Sequence, residues 1–336
     1  MSALPRDLQL QLVREASRAP SAHNTQPARW RFSPDSAVVL FEEVSRRLPV
    51  ADPTGRDHRV GLGAAFEGLR LALSRHGFDL SDPKPPDDSE RVTAPPGLSC
   101  IARSVLRSGA ESDPLDAQVM RRRTYRGRFL PADVAALDAL HEVLDPAPDV
   151  TPVYDAASIA VLAAESDRAS FGFLALRGYQ GELYRWLRFS PRDGGWTRDG
   201  LTADCLELSR VERLVGRWLF VPAYFALLAQ VGLHRPLVAE AGRTRTAAAL
   251  AIFHRPQTED RLLTGRRFYR FWLELTAAGF AARPMSVLAD DPFSVALLRE
   301  RWAVPASAAI INVFVVGVAP AGTCRSPRLP PEELLV

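Results

Sequence analysis

Apolar residues recur along this chain at two periods, and each predicts a different element. In "GLGAAFEGLRLALSRHGFD", Leu62, Phe66, Leu69 and Leu73 return at helical spacing, which predicts an amphipathic helix. Another helix is predicted over about residues 5–18. The segments "RWRF" and "AVVLF", separated by "SPDS", predict a hairpin. A proline-rich loop at 81–97 and a short strand near "LSCIA" follow, then helices over 114–122, 131–144 and 156–188. The β-branched run "AAIINVFVVGV" near the C-terminus predicts a central strand.

The pattern also repeats. "GAAFEGLRLALSRHGF" (63–78) lies over "GRRFYRFWLELTAAGF" (265–280) without a gap, pairing Gly63 with Gly265, Phe66 with Phe268, Leu73 with Leu275, and Gly77-Phe78 with Gly279-Phe280. Two helices sharing a start, an apolar face and a glycine stop predict duplicated halves about a pseudo-two-fold axis. "GLGAAFEG" imitates the start of a dinucleotide fingerprint, but Phe66 occupies its third glycine position and no suitable strand precedes it. Gly61 and Gly63 are therefore assigned to close helix packing.

Composition narrows the chemistry. With 336 residues, of which 47% are apolar, the chain can bury a large core. A formal charge of +3, with arginines spread along the sequence, does not point to nucleic acid. Lys84 is the only lysine and sits in "SDPKPPDD", so Schiff-base chemistry and a Walker-A loop are not expected. Cys100, Cys205 and Cys324 are far apart in sequence, which fits a reducing compartment, and the histidines show no metal-ligand spacing. No secretory signal is visible at the N-terminus, and a cytoplasmic location without membrane attachment is expected. The longest apolar run, from Trp218, contains Pro222 and Gln230, is too short to span a bilayer, and reads as a buried helix or a cover over a site.

Three motifs carry candidate chemistry. In "RAPSAHNTQPARWRF" (18–32), Pro20 and Pro27 forbid a regular helix, so an ordered polar loop is expected. "RRRTYRGRF" (121–129) crowds guanidiniums that would repel unless an anion joins them, and arginine's planar fork suits phosphate. "CRSPRLPPEELL" (324–335) adds further arginines after the last strand. Two arginine clusters with one amide-rich loop suit a ligand bearing a phosphate at one end and a hydrogen-bonding flat ring at the other. Flavin mononucleotide (FMN) has that shape.

"APSAHNTQP", "RRRTYR", the glycine-ended helix and "VFVVGV…SPRLPPEEL" resemble the FMN-dependent nitroreductase superfamily, and their order resembles its single-chain tandem branch, the Acg family. The resemblance runs over nearly the whole chain and is weakest at about 140–260. It implies an α+β nitroreductase-like fold duplicated in one chain, as two pseudo-symmetric halves (1–112 and 113–336), each a mostly antiparallel sheet flanked by helices. Ordinary members are homodimers with FMN at the interface, so a chain holding each motif once implies one complete site and a monomer. Carried over, Pro20, Ser21, Asn24 and Gln26 line the ring edge with His23 nearby. Arg122, Arg123 and Thr124 meet the phosphate and ribityl chain, Arg126 the pyrimidine side, and Arg325 and Arg328 complete the phosphate site. Ala28 stands where the family commonly has Trp, and Ala22 where a second hydroxyl often follows the serine, which leaves the pocket wall open.

The implied activity is hydride transfer from NAD(P)H through FMN to an electron-poor acceptor such as a nitroaromatic or quinone, with the chemistry carried by the cofactor and no metal. Two alternatives use the same residues: a flavin-sequestering protein, with 211–234 covering the ring, and a flavin-dependent biosynthetic dehydrogenase or oxidase.

Overall fold

The computed structural model describes residues 4–86, 93–230, 232–322 and 324–336, so part of the expected proline-rich loop, 87–92, lies outside the described residues. Four strands, β1 (Ala28–Phe32), β2 (Ala37–Glu43), β3 (Phe78–Leu80) and β4 (Leu98–Ser108), form an antiparallel sheet in the order β1-β2-β4-β3. The predicted hairpin is β1–β2, in register from Ala28–Glu42 to Phe32–Val38.

A second antiparallel sheet has β5 (Val150–Val153) at one edge. After an insertion holding the short parallel pair β6 (Leu187–Arg188) and β7 (Leu201–Thr202), it gains β8 (Ala249–Pro256), β9 (Ala281–Pro284) and β10 (Ala308–Gly317), in the order β5-β8-β10-β9. Counted within its own sheet, each set of strands runs first-second-fourth-third. In each, a long helix joins the second strand to the third: Arg56–Ser74 in one, Arg261–Ala277 in the other. The two sheets thus share one topology, and their long helices pack on each other. We propose the boundary between the halves at 112/113, between β4 and the short helix Asp116–Val119.

The apolar faces of these helices fill the core because burying them removes the largest apolar area from water. Phe66 and Leu69 pack with Trp30 from β1. Phe268, Phe271 and Trp272 interlock with Phe253 and Phe314 at ring-centroid distances from 4.9 to 5.7 Å. Only the second half carries a long insertion between its first two strands. The helix expected over 156–188 breaks there into Ala156–Ala175 and Tyr179–Trp186, because Gly178 takes φ +87° between them. The helix expected over 114–122 is reduced to Asp116–Val119. At the other end, the C-terminal arm returns to the first sheet: Trp30 N–H donates to Leu334 O at 2.8 Å, and Val336 N–H donates to Trp30 O at 2.7 Å.

Candidate functional site

The loop after the first helix has a strained backbone. His23, Asn24 and Gln26 take φ of +48°, +56° and +51°. This left-handed region costs a residue with a Cβ about 1–2 kcal/mol, so it persists only where its surroundings enforce it. Long-range bonds do so here. Asn24 Nδ2 donates to the carbonyls of Gly200 and Pro327, both at 3.1 Å, and Asn24 Oδ1 accepts from Arg328 Nη1 at 2.8 Å. Gln26 Nε2 donates to Arg198 O at 2.9 Å, while Gln26 Oε1 accepts from the Leu329 amide at 2.9 Å. Ser21 Oγ accepts from the Gln26 amide at 3.0 Å. Asn24 and Gln26 were expected to line a ring edge. Instead their side-chain amides clamp the loop to the insertion and the C-terminal arm.

What the clamped loop presents is Pro20, Ser21 and His23, on a cleft of about 240 Å³ shared with Arg126, Trp272 and Asn312. Some of its polar groups are unpartnered among the described residues. His23 Nδ1 and Asn312 Oδ1 are buried without a hydrogen bond, and the Arg126 guanidinium has no hydrogen-bond or carboxylate partner within bonding reach. Leaving such groups dry costs about 1–3 kcal/mol each, so the cleft is built to receive a polar-edged ligand. Burial, aided by the charge of Arg126, pulls His23 down to about 4, which makes its imidazole neutral at pH 7. Asp57 and Asp290 also line the cleft. Arg56 Nη2 donates to Asp57 Oδ1 at 2.8 Å and to Asp290 Oδ1 at 2.6 Å. Burial, and then the charge of Asp57, push Asp290 up to about 7.

The predicted phosphate-binding arginines fall into two groups. Arg122 is buried over the ring of Trp272, 4.6 Å from its centroid, and its Nη2 donates to Arg18 O at 2.7 Å. Arg328 Nη2 donates to the same carbonyl at 3.1 Å. Nε of Arg18, Arg122 and Arg328, and Nη1 of Arg122, are buried without a well-formed hydrogen bond, the Tyr269 hydroxyl being the near neighbour of Arg122. Burial and the neighbouring charges of Arg122 and Arg18 bring Arg328 down to about 9. Gathered guanidiniums with free donors and no carboxylate between them fit a dianionic phosphate. Arg123 and Arg325 line a separate cavity of about 230 Å³ with Arg121 and Thr276, although the charge of Arg325 still reaches Arg18. Thr124 pairs with Ala282 through its backbone.

The cysteines are free, as expected, but two of them meet. Cys205 and Cys324, far apart in sequence, bring their Sγ atoms to 3.2 Å as free thiols. The hydrogen bond from Cys324 outweighs burial and lowers Cys205 to about 6. The run from Trp218 is only partly buried and does not cover this cleft: Phe225 is buried but Trp218, Tyr224 and Leu227 are exposed, and the insertion contributes Phe173 and Tyr179 to the cleft but no described residue of 211–234. Sequence reasoning missed Arg18, Asp290 and Asn312. Asn312 had a signal, a polar residue inside a β-branched run, and it sits beside a register shift in β10.

No family model matches this chain. It is similar to a Mycobacterium tuberculosis protein named "Putative NAD(P)H nitroreductase", 36% identical over 114 residues, which cover 34% of this chain and 32% of that protein. A second M. tuberculosis protein, carrying the same name with the suffix acg, is 34% identical over 118 residues, 35% of this chain and 34% of its own length. The matches thus span about a third of these relatives. Among solved structures, the FMN-dependent nitroreductase NfnB from Mycobacterium smegmatis in complex with NADPH aligns with a TM-score of 0.36 at 21% identity, covering 65% of this chain and 95% of that one. An Anabaena variabilis protein named "putative nitroreductase" aligns over 94% of this chain and 90% of its own, with a TM-score of 0.47 at 11% identity. Over that matched third, the chain is similar to proteins that bear the name of the family its motifs resemble.

Proposed function

We propose that this protein is an FMN-dependent oxidoreductase that takes hydride from NAD(P)H and reduces a small electron-poor acceptor, a nitroaromatic or a quinone. The observation that carries the reading is the cleft. There His23 Nδ1 and Asn312 Oδ1 are unpartnered beside Arg126, and Trp272 in its wall also underlies Arg122, which carries buried unpartnered donors and shares the Arg18 carbonyl with Arg328. A ring with hydrogen-bonding edges and a phosphate on one molecule answers both sets. The name borne by the M. tuberculosis relatives agrees with it.

When bound, FMN supplies the two-electron redox chemistry. The chain's residues do the rest. Arg122, Arg328 and Arg18 hold the phosphate. Arg126 places positive charge beside the ring, favouring its anionic reduced form. Neutral His23 offers a hydrogen bond without adding a second cation to Arg126. Asp290, with Oδ1 occupied by Arg56, can keep a proton on Oδ2 near neutral pH for delivery to the acceptor. All these groups come from one chain, so a monomer holding one FMN is expected.

The test is flavin content, followed by anaerobic stopped-flow mixing with NADPH and with NADH. The expected result is about one FMN per chain, bleached within seconds. A protein that cannot be loaded with FMN, or whose flavin only dithionite reduces, overturns the reading.

A further inference from the structure

The insertion and the C-terminal arm meet along a seam where residues 198–205 face 324–333. Arg198 Nη2 donates to Glu333 Oε2 at 2.6 Å. Asn24 Nδ2 joins Gly200 O to Pro327 O, and Gln26 joins Arg198 O to the Leu329 amide. At the end of the seam the Sγ atoms of Cys205 and Cys324, 119 positions apart in sequence, stand 3.2 Å from each other. All of these links are non-covalent, and the last alone joins two atoms that can bond to each other. A disulfide's sulfurs stand about 2.0 Å apart, so closure asks the pair to approach by roughly 1 Å more. Cys100, the third cysteine, lies on β4 of the first sheet and is no part of the seam.

The surroundings give the two sulfurs different chemistry. A thiolate, not a thiol, is the nucleophile. The hydrogen bond from Cys324 outweighs burial at Cys205, and the hydroxyls of Thr202 and Ser326 and the charge of Arg126 add to it, so Cys205 releases its proton at about 6. The same bond, with burial, pushes the Cys324 thiol up. A thiolate beside a thiol is what stepwise oxidation needs: one sulfur to attack the oxidant and a second to resolve the product. Cys205 is only 4% exposed and Cys324 is half-buried, so the oxidant must be small. A peroxide, scarcely larger than water, meets that condition.

We propose that Cys205 and Cys324 are a reversible redox pair, oxidised by hydrogen peroxide to a disulfide that fastens the C-terminal arm to the insertion. The Cys205 sulfur attacks one peroxide oxygen, the O–O bond breaks, and the departing hydroxide takes up a proton as water, leaving a sulfenic acid. The Cys324 sulfur then attacks the Cys205 sulfur, the S–O bond breaks, and a second water leaves with the Cys324 proton. In sum the two thiols lose two electrons and two protons, and one peroxide becomes two waters. Asn24 and Gln26 reach the same two segments, so the disulfide also holds in place the loop that presents His23 to the cleft. In a reducing compartment the bond is transient, and the pair acts as a sensor of oxidant. The pairing stands independently of the oxidoreductase reading.

The experiment treats the reduced full-length protein with a slight excess of hydrogen peroxide, alkylates it with iodoacetamide in denaturant and maps its peptides by mass spectrometry. The expected result is alkylation at Cys100 alone and a linked Cys205–Cys324 peptide that dithiothreitol separates. Cys324→Ser should stop the reaction at a sulfenic acid on Cys205, which dimedone traps. Hydrogen exchange reads the second half of the proposal: in the oxidised protein the Leu329 amide should exchange more slowly by roughly tenfold or more, because opening the arm now works against a covalent link. All three cysteines alkylated after peroxide treatment, or a linkage through Cys100, overturns the redox pair. A Cys205–Cys324 disulfide that leaves exchange in the arm unchanged overturns the fastening. Both readouts use the unmutated chain, so a variant that misfolds leaves the test intact.

Discussion

Gly63 and Gly265 face each other where the two long helices cross. A Cβ on Gly265 would stand 2.1 Å from Val60 O and 2.8 Å from Gly63 Cα, and a Cβ on Gly63 would stand 2.1 Å from Leu262 O. The contact is reciprocal: Val60 precedes Gly63 by the same three positions by which Leu262 precedes Gly265. The pseudo-two-fold relation therefore passes between the glycines that the internal repeat aligns. Gly63→Ala or Gly265→Ala must push backbone from backbone, and each is expected to destabilise the chain by about 1–3 kcal/mol or more. Urea unfolding reads this directly, and a midpoint unchanged in both variants would remove the helix crossing as the reason for these glycines.

The two arginine groups give opposite predictions for flavin retention. Arg122→Ala removes buried, unpartnered donors beside Trp272. It should weaken FMN binding by roughly ten- to a hundredfold, the worth of a charge-assisted contact. Arg123→Ala alters the separate cavity shared with Arg121 and Arg325, and should leave FMN affinity within a few fold. Fluorescence titration of the apoprotein with FMN measures both. The reverse ranking would move the phosphate to the Arg123–Arg325 cavity.

His23 sets a pH dependence with a definite sign. In the folded chain it takes up a proton only near pH 4, whereas an unfolded imidazole does so near 6.5. Between those values the unfolded chain binds more protons, so stability rises with pH across the window and is lost as pH falls from about 6.5 towards 4. His23→Asn, a residue that tolerates φ > 0, should flatten that limb in urea melts. Parallel pH profiles for the two proteins would show that His23 is not buried as described.

Gln26→Ala cuts the loop from both Arg198 and Leu329. Leaving those backbone groups unsatisfied should cost about 1–3 kcal/mol. The Leu329 amide, now without its acceptor, should exchange its hydrogen faster, while amides of the central strand β10 keep their relative protection. Hydrogen-exchange mass spectrometry of the C-terminal peptide checks this. Unchanged exchange there would mean that the arm is held without the Gln26–Leu329 bond, by remaining bonds such as those to Arg18, Asn24 and Trp30.

Elements whose signals lie within a dozen residues were legible in the sequence. Leu62, Phe66, Leu69 and Leu73 mark their helix by period alone, "SPDS" marks the β1–β2 turn, and the β-branched run marks β10. Strands β5 and β9, at four residues each, are too short for a period to stand out, and β8 is buried on both faces and so shows no alternation. The break at Gly178 was hidden because one glycine inside a helical pattern does not reveal its φ.

For the site, the sequence by itself determined the chemical types: a proline-bounded loop with Ser21, His23, Asn24 and Gln26, arginine clusters at 121–128 and 325–328, and the repeat that makes two halves. Only the tertiary structure decided what each group does. Asn24 is bonded to residues 176 and 303 positions away, and Gln26 to one 303 away; these contacts turn both amides from ligand-facing groups into clamps. Arg122 and Arg123 are neighbours in sequence, yet one is buried against Trp272 and the other lines a different cavity. Local pattern follows from the geometry of a few consecutive residues. The partner of a long, flexible guanidinium or amide is set by which distant segments packing brings within hydrogen-bond reach, and no short window of sequence carries that information.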